Sequence, residues 1–236
     1  MRGLLLGCLL VSLSACATEQ PQPNAASSLS SPSRSSPAAV TMHAADGGTL
    51  TGHIHGSGST AVVLSNMGDN NPGPWDEFAP ILAARGYTVL TYRYRDPLRT
   101  AVADLQAAIT YLRSKRSTRL ALVGASLGGM TSAKVAGAAG AAAVILIACP
   151  LDIDGYDFRV TDQELAALTA PKLVIASQDD NIVPFAKTRA VYDRAPQPKE
   201  FASYPSTAHG VKLFDTAHRE ALQKRLLEFL TANAAP

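Results

Sequence analysis

Short runs of aliphatic and β-branched residues alternate along this chain with stretches whose apolar positions recur every three or four residues. Val40 to His43 and Leu50 to His55 flank the turn Asp46-Gly47-Gly48 and predict an antiparallel hairpin. Ala61 to Ser65, Thr88 to Tyr92, Leu120 to Val123, Val144 to Ala148, Leu173 to Ala176 and Phe201 to Tyr204 each predict a strand. Between them lie helical patterns. Trp75 to Arg85 ends at Gly86, a C-cap signal. Val102, Leu105, Ile109 and Leu112 share one helical face. Leu127 to about Ala139 is a run of small residues, and Leu222, Leu226, Phe229 and Leu230 form the stripe of a last helix. Such alternation predicts an α/β fold: a mostly parallel sheet with an N-terminal antiparallel hairpin and helices on both faces. In such sheets ligands gather at the carboxyl ends of the strands.

The N-terminus follows a different pattern. Arg2 precedes the apolar run Leu4 to Leu13, which is too short for the roughly 20 residues that span a bilayer. Leu13-Ser14-Ala15-Cys16 then resembles a bacterial lipobox. The resemblance implies a signal peptide over residues 1–15, cleavage before Cys16, and a lipid on its thiol and amine. An ordinary secretory signal cut after a small residue is the alternative. Residues 17–39 are rich in Ser, Pro, Ala and Gln, which predicts a flexible tether between Cys16 and a folded domain over 40–236. A protein so built sits in the bacterial cell envelope, on the membrane through its anchor.

Composition narrows the function. The chain has 236 residues, 47% hydrophobic and 17% charged, enough for one catalytic-size domain with a real core. The formal net charge is +2 and no basic block occurs, which argues against nucleic acid as a partner. Three cysteines do not make a disulfide framework. Cys149 reads as a small buried hydrophobe.

Gly124-Ala125-Ser126-Leu127-Gly128 follows an apolar strand and opens a helix, the context of a nucleophile elbow. Small flanking residues let the turn close and leave the Ser126 hydroxyl exposed at the strand tip. A serine needs a base to take its proton. Of the five histidines, only His209 and His218 lie downstream of the following strands. His209 stands in a loop after Phe201 to Tyr204, whereas His218 falls within a helical run as a solvated residue. The orienting acid belongs after Leu173 to Ala176, in Ser177-Gln178-Asp179-Asp180-Asn181. Asp179 and Asp180 are the candidates; an acid, two residues and then Val183-Pro184 resembles the spacing around the acid of known serine hydrolases, which implies Asp180, with Asp179 as competitor.

These residues resemble the small α/β-hydrolases of the serine esterase and dienelactone-hydrolase-like kind, from Ala61 to the C-terminus. The resemblance implies a Ser126–His209–Asp180 triad that acts without cofactor or metal. It also implies an oxyanion hole of two backbone N–H groups, Leu127 after the nucleophile and Met67 in the loop after Ala61 to Ser65. That loop reads Ser65-Asn66-Met67-Gly68, where the family usually has His-Gly-X. Dienelactone hydrolases use cysteine where this chain has Ser126.

The expected activity is cleavage of carboxylic esters or thioesters by a monomer, with a small acyl compound as substrate. The alternatives are an amide or peptide hydrolase and a lipoprotein that keeps the fold as a binding module. Only a short segment joins Pro150 to Lys172, so the lid is minimal: one helix, Asp162 to Leu168, capped by Thr161. That favours short acyl groups. Asp152, Asp154 and Asp157 read as loop acids that could rim the pocket. His53 and His55 share one face of a strand and read as a solvated pair.

Overall fold

The computed structural model describes residues 37–115 and 117–236. The expected signal peptide, Cys16 and nearly all of the expected tether lie outside the described residues. The elements follow in order as β1 (Ala38–His43), β2 (Thr49–His55), β3 (Thr60–Ser65), α1 (Gly73–Ala83), β4 (Thr88–Tyr92), α2 (Ala101–Ser114) and β5 (Arg119–Ala125). Then come α3 (Leu127–Ala136), β6 (Ala143–Ile147), α4 (Asp162–Ala167), β7 (Lys172–Ser177), α5 (Phe185–Arg194), β8 (Lys199–Tyr204), a 3₁₀ segment over Gly210–Asp215 and α6 (Arg219–Asn233).

The eight strands form one sheet in the order β1-β2-β4-β3-β5-β6-β7-β8. β1 pairs antiparallel with β2, and β2 antiparallel with β4; every other pairing is parallel. This is the α/β-hydrolase arrangement. The inner strands are apolar on both faces because helices cover both. Alternate residues therefore feed two separate cores. Val63, Leu122, Val144 and Leu146 pack with α2 and α3. Val62, Leu64, Val123, Ile145 and Ile147 pack with Trp75 and Phe78 of α1 and Leu226 and Leu230 of α6.

Two side-chain arrangements fix loops of the fold. Arg95, just past β4, reaches Asp46 in the hairpin turn with two bonds of 2.8 Å. It also donates from Nε to Asp104 of α2 at 2.6 Å, and Asp104 is fully buried. One guanidinium thereby fixes the β4–α2 loop to elements on either side, using its planar fork. At α4, the Thr161 side chain accepts from the Glu164 N–H and the Glu164 carboxylate accepts from the Thr161 N–H. This is the cap expected at that position, closed into a capping box.

Three details differ from the sequence reading. α5 escaped notice because it is largely polar and buries only Thr188 and Val191, so no apolar stripe marks it. His218 is the N-cap of α6, not an interior helix residue, and its ring lies 5.4 Å from the Tyr204 ring with Nε2 3.1 Å from Pro205 O.

The third concerns the histidine pair of β2. His53 is exposed, but His55 is buried and its Nε2 has no hydrogen-bond partner. The two share a strand face, but α1 packs against only part of it and brings Asp76 into the electrostatic surroundings of His55. Burial lowers the His55 pKa from its ordinary 6.5, Asp76 raises it less, and His53 lowers it further. The fold thus holds His55 neutral. Its contribution to stability is complete above about pH 6.5 and is lost as the pH falls below, because the unfolded chain takes up the proton more readily. Chemical denaturation at pH 7 and pH 5 should show wild type losing stability and His55→Gln losing measurably less. Equal losses in the two proteins would contradict a buried neutral His55.

Candidate active site

The site is built at the carboxyl ends of the central strands. β5 runs to Ala125, and α3 starts at Leu127, so the chain reverses in one residue. That residue, Ser126, has φ 53° and ψ −118°. A non-glycine residue in this region is strained by about 1–3 kcal/mol and survives only where its surroundings enforce it. Here the enforcement is close packing. A Cβ on Gly124 would lie 2.1 Å from Gly128 O, and a Cβ on Gly128 would lie 2.3 Å from Ser65 O and 2.5 Å from Asn66 O. Strand, helix and the β3–α1 loop therefore meet backbone to backbone. Ser126 is half-buried, and its N–H donates to Ile147 O at 2.8 Å, which extends the β5–β6 ladder through the turn.

His209 and Asp180 come from the ends of β8 and β7. His209 Nδ1 lies 2.9 Å from Asp180 Oδ2 and 3.1 Å from Oδ1, with both residues buried. Asp180 Oδ1 also accepts from the N–H groups of Ile182 and Val183, each at 2.9 Å. A carboxylate with these acceptor bonds favours the tautomer that carries the proton on Nδ1, leaving Nε2 free as a base. Asp179 is exposed, and its N–H donates to Ser206 O at 3.1 Å. The structure thus places Asp180, not Asp179, against His209.

Sequence reasoning missed the groups that hold the two loops together. Ser177 Oγ donates to Ala208 O, the Gln178 N–H donates to Tyr204 O at 2.9 Å, and Ser206 Oγ accepts from the Ala208 N–H at 3.0 Å. Serines beside a catalytic-type acid and histidine were the available signal, since short hydroxyls satisfy loop backbone.

The segment after His209 returns to the elbow. A Cβ on Gly210 would sit 3.4 Å from Ala125 Cβ and 2.5 Å from Met67 Sδ. His209 is thus next to a residue that packs on both the elbow and the β3–α1 loop. Among the described residues Ser126 Oγ makes no hydrogen bond; such contacts commonly tighten when substrate enters. Leu127 is the first residue of α3, where N–H groups have no partner inside the helix.

Ser126, Leu127 and Gly68 open into a cleft of about 530 Å³. Its walls are mostly apolar: Pro97 and Leu98 from the β4–α2 loop, Pro150 and Ile153 from the segment after β6, and Ile182 and Val183 before α5. Tyr156 and Ile182 stand largely exposed at its edge. Asp152 and Asp154 do rim the pocket, and Lys187 neutralises part of their charge at 3.3 Å and 2.8 Å. Asp157 stays outside and pairs with Arg159. A larger groove of about 680 Å³ between α1 and α6 contains none of these groups. Cys149 is buried against Gly129, and burial pushes its thiol pKa well above the usual range, so it is no thiolate nucleophile. Among the described residues no cluster of three His, Cys, Asp or Glu could hold a metal.

Residues 53–234 match the model of the alpha/beta hydrolase family. The chain belongs to that family. An uncharacterised protein of Mycobacterium tuberculosis is 28% identical over 189 residues, spanning 69% of this chain and 67% of that one. Among solved structures, the chain is similar to the esterase domain of a Rhodothermus marinus protein, with TM-score 0.68 and 20% identity over 83% of this chain and 98% of that one. It is also similar to the Pyrococcus furiosus esterase Pf2001, with TM-score 0.70, 17% identity and coverage of 84% and 92%. A third is XC6422 of Xanthomonas campestris, described as a serine hydrolase without lid, with TM-score 0.64, 21% identity and coverage of 84% and 95%.

Proposed function

We propose that this hydrolase cleaves carboxylic esters, or thioesters, of small or short-acyl compounds through a covalent acyl-enzyme on Ser126. The observation that carries the reading is the buried His209–Asp180 pair beside a strained serine elbow that opens into an apolar cleft. Ser126 Oγ attacks the acyl carbonyl carbon while its proton passes to His209 Nε2. Asp180 holds the ring and stabilises the imidazolium. The carbonyl oxygen gains the negative charge and is met by the N–H groups of Leu127 and Met67. Collapse breaks the bond to the leaving alcohol or thiol, which takes the proton from His209. Water, deprotonated by the same His209, then attacks the acyl carbon; the bond to Ser126 Oγ breaks, Oγ takes the proton back from His209, and the acid leaves.

The triad is tested on p-nitrophenyl acetate. Ser126→Ala is expected to abolish turnover in a folded protein. Asp180→Asn should lower kcat by about 10⁴, the loss typical when the orienting acid no longer fixes the tautomer. Asp179→Asn should stay within about threefold of wild type, since an exposed side chain away from the ring does not enter that step. A larger loss in Asp179→Asn than in Asp180→Asn would reverse the assignment.

The cleft supports a preference for short acyl groups. The segment between β6 and β7 supplies one wall through Pro150, Ile153 and Tyr156, while no residue of α4 lines the cleft. An acyl chain that outgrows the walls stays in water, and each further methylene gains much less than the roughly 0.8 kcal/mol of full burial. Values of kcat/KM across p-nitrophenyl esters should peak between about C2 and C6 and then fall. A steady rise to C12 would show a buried tunnel and a lipase.

We further propose that the mature chain is anchored to the bacterial envelope by lipid on Cys16, from the lipobox and the tether that follows it. No helix among the described residues is long and apolar enough to cross a membrane. The full-length protein should fractionate with membranes, and Cys16→Ala should release it to the aqueous phase. A wild-type protein that is soluble, with an unmodified N-terminus by mass spectrometry, would refute the anchor.

A further inference from the structure

The loop between β3 and α1 carries Met67, and five hydrogen bonds tie it to Tyr92, Arg93 and Tyr94, at the end of β4 and just past it. The Asn70 side chain pairs with both backbone groups of Tyr94: Oδ1 accepts from its N–H at 2.9 Å and Nδ2 donates to its carbonyl at 2.8 Å. A neighbouring strand would satisfy Tyr94 in the same way. To reach it, Asn70 adopts φ 55°, a left-handed conformation that Asn tolerates better than most residues. Arg93 Nη1 donates to Asn70 O at 2.8 Å, and Asn66 Nδ2 donates to Tyr92 O at 2.6 Å. The fifth bond runs from the Tyr94 hydroxyl to Asn66 O at 3.2 Å. Inside the loop, the Asn70 N–H closes a turn on Met67 O at 3.0 Å.

The last tie to Tyr94 bears on chemistry. Asn66 C=O and Met67 N–H belong to one planar trans peptide, so they point in opposite directions. Holding the carbonyl toward Tyr94 turns the Met67 N–H the other way. The next residue, Gly68, borders the cleft with Ser126 and Leu127. Tyr94 itself is buried and its ring stacks edge-to-face on Tyr92 at 5.3 Å, so its hydroxyl has little freedom.

We propose that Tyr94 and Asn70 are positioning residues which clamp the β3–α1 loop and thereby hold the Met67 N–H ready for the oxyanion. This rests on the ester hydrolysis proposed above. Burial keeps the Tyr94 hydroxyl protonated, since its pKa is pushed far above the usual phenol value, so it donates throughout the working range. A backbone donor aids the transition state only when it is already in place, because reorganising it at the moment of reaction forfeits the gain. Complete loss of one donor costs about 10²–10³ in rate, and a loosened donor costs part of that.

The experiment compares wild type, Tyr94→Phe and Asn70→Gly on p-nitrophenyl acetate, with a boronic acid as probe of the tetrahedral oxyanion. Asn70→Gly keeps the left-handed backbone accessible and removes only the amide, so it tests the clamp should Tyr94→Phe fold poorly. Both variants should lose about tenfold or more in kcat, with KM within about twofold, because the donor strengthens its bond only as charge develops. Boronic acid affinity should fall in step with kcat. A core variant of similar stability loss, Leu105→Ala, should leave the split between kcat and KM unmoved. Unchanged kcat in Asn70→Gly, or equal changes in kcat and KM in all three variants, overturns the clamp alone. A wild type inert toward both probes overturns the parent reading and the clamp with it.

Discussion

The contact on which the rest depends is the backbone-to-backbone approach of β5, α3 and the β3–α1 loop around Gly124 and Gly128. No side chain fits there, since an added methyl at either position would overlap a carbonyl oxygen by more than a small shift can relieve. With no side chain between them, the helix starts one residue after the strand ends. The strained φ of Ser126 is the result, because no relaxed path joins two elements so close. The same approach brings the first N–H groups of α3 beside the loop that carries Met67. Ser126 and the two backbone N–H groups proposed as oxyanion donors thus share one structural origin.

The Asp180–His209 pair depends on a second, independent construction. β7 and β8 are parallel neighbours, so their following loops leave the sheet side by side. Hydrogen bonds from Ser177, Gln178 and Asp179 to the opposite loop stitch them together before Asp180 and His209 meet. The pair is therefore an extension of the sheet's own ladder. Gly210 then carries this assembly onto Ala125 and Met67. The two constructions therefore meet at Gly210, one residue from His209 and packed on the residue before Ser126.

Around this core the cleft is shaped by loops of different origin. Arg95 fixes the β4–α2 loop that supplies Pro97 and Leu98, and Lys187 joins the post-β6 segment to α5 through Asp152 and Asp154. The first tie includes the fully buried Asp104, while the second is exposed and correspondingly weak in water. The tie at the Pro97 wall is thus the stronger of the two ion pairs.

Much of this was legible along the chain. The alternation of apolar runs determined an α/β sheet, and the elbow motif between a strand and a helix determined where Ser126 would stand. Its small residues and their spacing are local properties, and local properties survive in sequence. The spacing from acid to Val183-Pro184 also singled out Asp180. Tertiary structure decided what depends on distant elements. The burial of His55 follows from how far α1 extends along β2, and the expectation of a solvated pair failed for that reason. α5 was invisible because its contacts come from two buried residues only. The Asn70–Tyr94 pairing joins residues 24 apart in sequence, with no periodicity to announce it. A motif marks where a turn must close, whereas a hydrogen bond between loops exists only after the sheet has set them next to each other.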